Sequence, residues 1–293
     1  MNTKKDIYNR LLRLFPAKHT AKTFDTKAKR QDKVIEEILG SNTDQEILDY
    51  ALNNFEITKQ NVYVYSTRKY TAHKLIDAND LGLEISYQNY ASGKLELYGY
   101  QMVVFEAKTY NDIEGKKDIQ VKLKQPFKVV IEGGYLIISL TKIEVNLKTY
   151  FDEHTSVFDP KKITDDSGAI NAILTYFDNK NKIRPQQSDL NKGVKHIWDK
   201  DVIDCREMSC RRTSSRRKET MDGDELFKNK YPEDYKEIMM SPLESCIFRY
   251  IRKDEDLPEH FTCDASKGRL SFTLYPERID QINNVLDEII RNN

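Results

Sequence analysis

The hydrophobic pattern divides the chain into three stretches. In residues 1–60 apolar positions recur at helical spacing. Ile7, Leu11, Leu12 and Phe15 share one face, and Pro16 ends the run. Thr43 to Glu46, TDQE, reads as a capping box: the threonine oxygen accepts from a free amide of the first turn and the glutamate reaches back. Ile47, Leu48, Ala51, Leu52 and Phe55 then continue at helical spacing.

From Val62 the period changes to two. VYVY alternates Val62 and Val64 with Tyr63 and Tyr65, and IQVKLK at 119–124 is the pattern of a half-buried strand. Pro126 predicts a strand end or a sheet edge. Gly133-Gly134 joins two apolar runs, which predicts a tight hairpin because both glycines accept positive φ. Residues 61–152 read as an antiparallel meander of five or six strands.

A polar stretch at 152–168 reads as a linker. Beyond it Ile170, Ile173, Leu174 and Phe177 predict one helix, and Leu190, Val194, Ile197 and Trp198 predict another behind a Ser188 cap. Residues 222–240 read as helical with a break near Pro232. CIFRYIR, FTC and RLSFTL form a small β unit. A final amphipathic helix is predicted to start at Pro276 and to bury Ile279, Ile282, Val285, Leu286 and Ile289. The fold class is α+β, with a basic helical region at 1–60, a sheet region at 61–152 and a C-terminal α+β region at 165–293.

Composition narrows the classes. Charged residues make up 32%, yet 17 Tyr and 12 Phe argue for a packed chain rather than disorder. No run approaches the roughly 20 apolar residues of a spanning helix, and the first residues lack the apolar core of a signal peptide. Four cysteines are too few for a disulfide scaffold, so the expectation is a cytoplasmic protein with reduced thiols. The Lys-, Asn-, Ile- and Tyr-rich usage fits an AT-rich bacterial or viral genome, in which a defence or plasmid-maintenance role would suit.

The 47 cations and 47 anions cancel overall, so any affinity for polyanions must be local. Residues 1–33 carry ten Lys/Arg against three Asp. The stretch CREMSCRRTSSRRKE, 205–219, concentrates Arg206, Arg211, Arg212, Arg216, Arg217 and Lys218 against Glu207 and Glu219. It reads as a basic loop. Arginine's planar fork suits phosphate, and Ser209, Thr213, Ser214 and Ser215 can donate to phosphate oxygens. Nucleic acid, DNA or RNA, is the favoured partner on this basis, bound without catalysis or cofactor.

Four other readings stand beside it. Cys205, Cys210, His260 and Cys263 supply the ligand types of a zinc site. Tyr98 and Tyr100, and Tyr63 and Tyr65 near Arg68 and Lys69, could stack bases. The sheet and last helix could pair with a partner protein or a second copy. Finally, VVFEAK places Glu106 and Lys108 two apart on one strand face. This pair resembles the ExK half of the PD-(D/E)xK nuclease motif. The resemblance implies a divalent metal held by acids and a lysine that polarises the reacting group. It also implies an upstream acid, for which Asp80, Glu84 and Glu96 are the options, and a helix soon after the motif, where TYNDIEGKKDIQVKLK reads as a turn and another strand.

Overall fold

A computed structural model describes residues 3–68, 76–111, 115–144, 146–151, 155–211, 216–220, 225–251 and 257–293. The chain opens with four helices, α1 (Lys4–Leu12), α2 (Ala17–Thr23), α3 (Gln31–Ser41) and α4 (Asp44–Asn53). The Thr43–Glu46 capping box forms: Thr43 N donates to Glu46 Oε2 at 2.7 Å and Glu46 N to Thr43 Oγ1 at 3.3 Å. Thr3 and Asp6 build the same device at the start of α1. Tyr50 of α4 lies between the rings of Phe15 and Phe24, and burial pushes its hydroxyl up to about 12.

The sheet region follows: β1 (Gln60–Ser66), a short α5 (Ala78–Leu81), β2 (Glu84–Ala91), β3 (Lys94–Asn111), β4 (Gly115–Glu132) and β5 (Tyr135–Thr141). Gly133 and Gly134 form the turn at φ 59° and 85°, both left-handed, as the hairpin reading requires. Pro126 does not end a strand. β4 runs through it, with Tyr100 opposite on β3 and the β5 ladder starting one residue later at Phe127. The missing N–H therefore falls where β4 has only one neighbour. The polar stretch read as a linker holds β6 (Ser156–Lys162), which pairs with β3.

The remainder comprises α6 (Asp166–Asn181), β7 (Gln186–Gln187), α7 (Asn191–Asp199), β8 (Ile203–Arg211), β9 (Arg216–Thr220), α8 (Phe227–Lys230), α9 (Pro232–Met240), β10 (Leu243–Tyr250), β11 (His260–Asp264), β12 (Arg269–Phe272) and α10 (Gln281–Arg291). Leu190, not Ser188, holds the N-cap position of α7 and makes no side-chain cap; the preceding Asp189 accepts from Asn191 N at 2.8 Å. α10 starts five residues after Pro276. The Gln281 side chain holds the preceding turn, accepting from Glu277 N at 2.9 Å and donating to Leu257 O at 3.1 Å, and Ile279 stays half-exposed outside the helix.

Among the described residues, all twelve strands belong to one antiparallel sheet, in the order β2-β3-β4-β5-β1-β12-β11-β10-β8-β9, with β6 beside β3 and β7 beside β1. The fold is α+β. The C-terminal strands join the earlier ones where Val62 of β1 lies opposite Leu270 of β12. Three hydrophobic clusters hold the layers. α1, α3 and α4 pack Leu11, Ile35 and Ile47 with Val103, Phe105, Val121 and Leu123 of β3 and β4. α6 packs Ile170, Ile173 and Phe177 with Leu136, Ile138 and Leu140 of β5. α7 and α10 pack Val194, Trp198, Val285 and Ile289 with Phe248, Phe261 and Phe272. Each such side chain contributes roughly 1.5–3 kcal/mol of burial. α7 and α10 meet at Gly193, where a Cβ would come within 2.1 Å of Ile289 O. No described helix is long and apolar enough to cross a membrane.

Candidate nucleic-acid interface

The basic stretch is not a loop along its length. Its backbone forms β8 and β9, an antiparallel hairpin at one end of the sheet, and β9 is the terminal strand. The sequence hid this because an edge strand of Arg, Lys, Glu and Thr lacks the apolar alternation that marks a half-buried one. Arg212 and residues 213–215 lie outside the described residues.

The register sorts the charges. Arg211 faces Arg216, Cys210 faces Arg217 and Ser209 faces Lys218; then come Met208 opposite Glu219 and Glu207 opposite Thr220. Cations therefore occupy the hairpin's distal end and acids its base. β10 begins at Leu243, opposite Cys210, so the Arg211–Arg216 end runs past its neighbouring strand. Arg206 is the extra residue at a shift between the Ile247 and Phe248 pairings, nearer the base. Like charges directly across a strand pair are destabilising.

The basic N-terminus is less available than its composition suggests. Arg10 is buried, donates to Lys122 O at 3.0 Å and lies 5.2 Å from the Phe151 ring centre. Arg13 is almost buried, donates to Asn9 Oδ1 at 2.8 Å and pairs with Asp32. Lys4 pairs with Asp44, and Lys33 with Glu36 at 2.7 Å. Two of the three arginines there tie helices to the sheet and to each other.

Glu106 and Lys108 stand on an open part of the sheet. Glu106 is exposed, opposite Gln120 of β4 and Lys161 of β6. Lys108 pairs with Asp159 at 3.0 Å, which holds its ammonium above the ordinary lysine value. The acids the nuclease motif would need are engaged elsewhere: Asp80 with Lys180 at 2.9 Å, Glu84 with Lys124 at 2.7 Å, Glu96 with Lys94 at 3.0 Å. β3 leads into its hairpin partner β4 rather than a helix.

The zinc set does not converge. Cys205 and Cys210 are five residues apart on one strand, roughly 16 Å along it. His260 and Cys263 are three apart on β11, an odd separation that puts them on opposite faces. Cys263 instead faces Cys246 across β10, a pairing the sequence reading missed. Cys205 lies against Cys246 as well, and burial pushes the Cys205 and Cys263 thiols well up. Such thiols are inert hydrophobic packing. Among the described residues, no group of three or more His, Cys, Asp or Glu could hold a metal ion.

The sheet tyrosines are also occupied. Tyr100 is buried with its hydroxyl on Leu48 O at 3.0 Å, and Tyr98 donates to Glu56 Oε1 at 3.0 Å. Tyr63 donates to Asp166 Oδ2 at 3.3 Å and lies 5.5 Å from the Arg269 guanidinium. Asp166 also accepts from Asn61 at 3.1 Å, Gln125 at 3.2 Å and Lys162 at 3.5 Å. A carboxylate has about four lone-pair sites. With four donors on it, Asp166 works as a joint between α6, β1 and β4.

No protein-family model matches this chain, and no curated protein matches it either.

Proposed function

We propose that this is a nucleic-acid-binding protein without catalysis of its own, and that the distal end of the β8–β9 hairpin is its contact surface. The observation that carries this reading is the register: Arg211 and Arg216 pair one position past the start of β10, Arg217 and Lys218 follow next to them, and Glu219 and Glu207 come nearer the base. Arginine at such an end meets phosphate in a bidentate fork, and each phosphate neutralised releases counterions. The N-terminal cations supply a secondary field at most, since Arg10 and Arg13 are already engaged.

The test is an anisotropy titration of short labelled nucleic acids in EDTA at several salt concentrations. The reading expects affinity that falls with salt at a slope of about −3 or steeper, as for three or four phosphate contacts. It expects Arg216→Glu with Arg217→Glu to abolish that binding. Absence of binding at low salt would reject it and turn the search to a protein partner.

A further inference from the structure

We infer that the corner between α2 and α3 is a secondary contact for the nucleic-acid backbone, formed by Lys18, Lys22, Lys27 and Lys29. The inference rests on the nucleic-acid reading above and adds a surface separate from the β8–β9 hairpin.

All four lysines are exposed. Lys18 and Lys22 are four apart on α2, so they stand on one face with their Cβ atoms about 5–6 Å apart. Lys27 and Lys29 follow in the connection to α3, which packs against α2. Lysines elsewhere on this chain are commonly paired: Lys94, Lys108, Lys124, Lys180 and Lys228 each reach a carboxylate within 3.0 Å. None of the four at this corner makes an ion pair among the described residues. Residues 16–30 hold five cations and one acid, Asp25. Asp32, just beyond, is taken by Arg13.

The surroundings of these lysines select the partner. No large hydrophobic side chain of residues 3–60 is exposed. Phe24 and His19 turn their rings to Tyr50, at 4.8 and 6.2 Å between centres. A membrane surface is held by apolar groups as well as by charge, and a protein partner by an apolar anchor. This corner offers neither, and it offers no open ring on which a base could stack. Exposed lysines beside the exposed Thr23 hydroxyl suit backbone phosphates, whose binding needs only cations and donors. The contact is therefore indifferent to base sequence.

His19 lies inside this field. Its Nδ1 is 3.3 Å from the Tyr50 hydroxyl, and burial, followed by the Lys22 charge, holds its imidazole below the ordinary histidine value. A phosphate that neutralises Lys22 removes the second cause, so His19 then holds its proton more tightly. His19 reports on this corner and not on the hairpin.

The experiment titrates the full chain in EDTA with a DNA duplex of about 20 base pairs, two helical turns. Anisotropy follows binding, and NMR follows the His19 ring across pH. DNA is expected to raise the His19 value. Lys18→Glu with Lys22→Glu is expected to lower the salt slope by about 2 and to leave the melting temperature unchanged. Binding with His19 unmoved and the slope unchanged in that variant would overturn this contact and leave the hairpin reading standing. Binding that survives Arg216→Glu with Arg217→Glu but is lost in the lysine variant would support this contact and overturn the hairpin assignment. No binding would overturn both. Tighter binding to vesicles of phosphatidylserine and phosphatidylcholine than to the duplex, lost in the lysine variant, would overturn nucleic acid as the partner of this corner. The His19 readout on wild type is decisive even if the lysine variant fails to fold.

Discussion

Lys128 of β4 places its Nζ 2.7 Å from Glu56 Oε1, and both side chains are nearly enclosed, at 10% and 12% exposure. Tyr98 donates to the same oxygen and its ring centre lies 5.0 Å from the Lys128 ammonium. The pair fastens the segment after α4 onto the sheet. Removing one partner of an enclosed pair strands the other charge, at a cost of about 3 kcal/mol or more, whereas replacing both by apolar groups is close to neutral. Lys128→Met is therefore expected to lower the unfolding free energy by about 3 kcal/mol, and Glu56→Leu with Lys128→Met to recover most of it. Urea titration of the two variants checks this; equal loss in both would show that the charges matter only through their volume.

Asp204 of β8 predicts a pH effect. It is buried, accepts from Phe227 N at 3.1 Å and from the indole of Trp198, and its other oxygen is 4.0 Å from Arg249. Burial raises its carboxyl above the ordinary aspartate value. The folded chain thus holds this proton more tightly than the unfolded one. Its contribution is complete below about pH 3.9 and is lost as pH rises through the raised folded value. The difference in stability between wild type and Asp204→Asn should therefore change over the first units above pH 4. Trp198 is the only tryptophan, and its emission should shift in the same window. A flat difference across that range would contradict the assignment.

Arg13 and Arg217 should separate stability from binding. Arg13 makes its bonds to Asn9 and Asp32 while almost buried, so Arg13→Ala should cost about 2 kcal/mol of stability and leave DNA affinity unchanged. Arg217→Glu on the terminal strand should change stability by no more than about 0.5 kcal/mol and lower the salt slope by about 1. Denaturation and anisotropy on the same two variants read both effects, and a swap of the two outcomes would place the phosphate contacts at the N-terminus.

Gly193 sets the approach of α7 to α10. A methyl there meets the Ile289 carbonyl, so the helices must part. Gly193→Ala should lower stability by about 1–3 kcal/mol even though alanine favours helix. A neutral or raised melting temperature would show that the two helices slide at little cost.

The features legible in the sequence were those written in adjacent residues. The Thr43–Glu46 box and the Gly133-Gly134 turn need only their own neighbours, and both form. Pro126 was half legible: it does not end β4, but it sits where β4 has one neighbour, and which of the two applies depends on the strand beside it. β9 was invisible because an exposed edge has no buried face to alternate. The pairing of Cys246 with Cys263, and of Lys128 with Glu56, joins positions that only the sheet register brings together. The zinc reading, in contrast, conflicts with a feature local to the sequence: in a strand spanning 260–263, His260 and Cys263 fall on opposite faces.

The join between β1 and β12 also sets an order of events during synthesis. Val62 waits for Leu270, 208 positions later. At about 5–20 residues per second a ribosome needs roughly 10–40 s to supply it. Through that interval the nascent chain presents the open side of NVYVY, an apolar strand able to pair with any passing one. Crowded expression should therefore yield aggregates seeded at β1, and a chaperone that shields extended apolar strands should raise the soluble yield more than slower unfolding of the finished protein would.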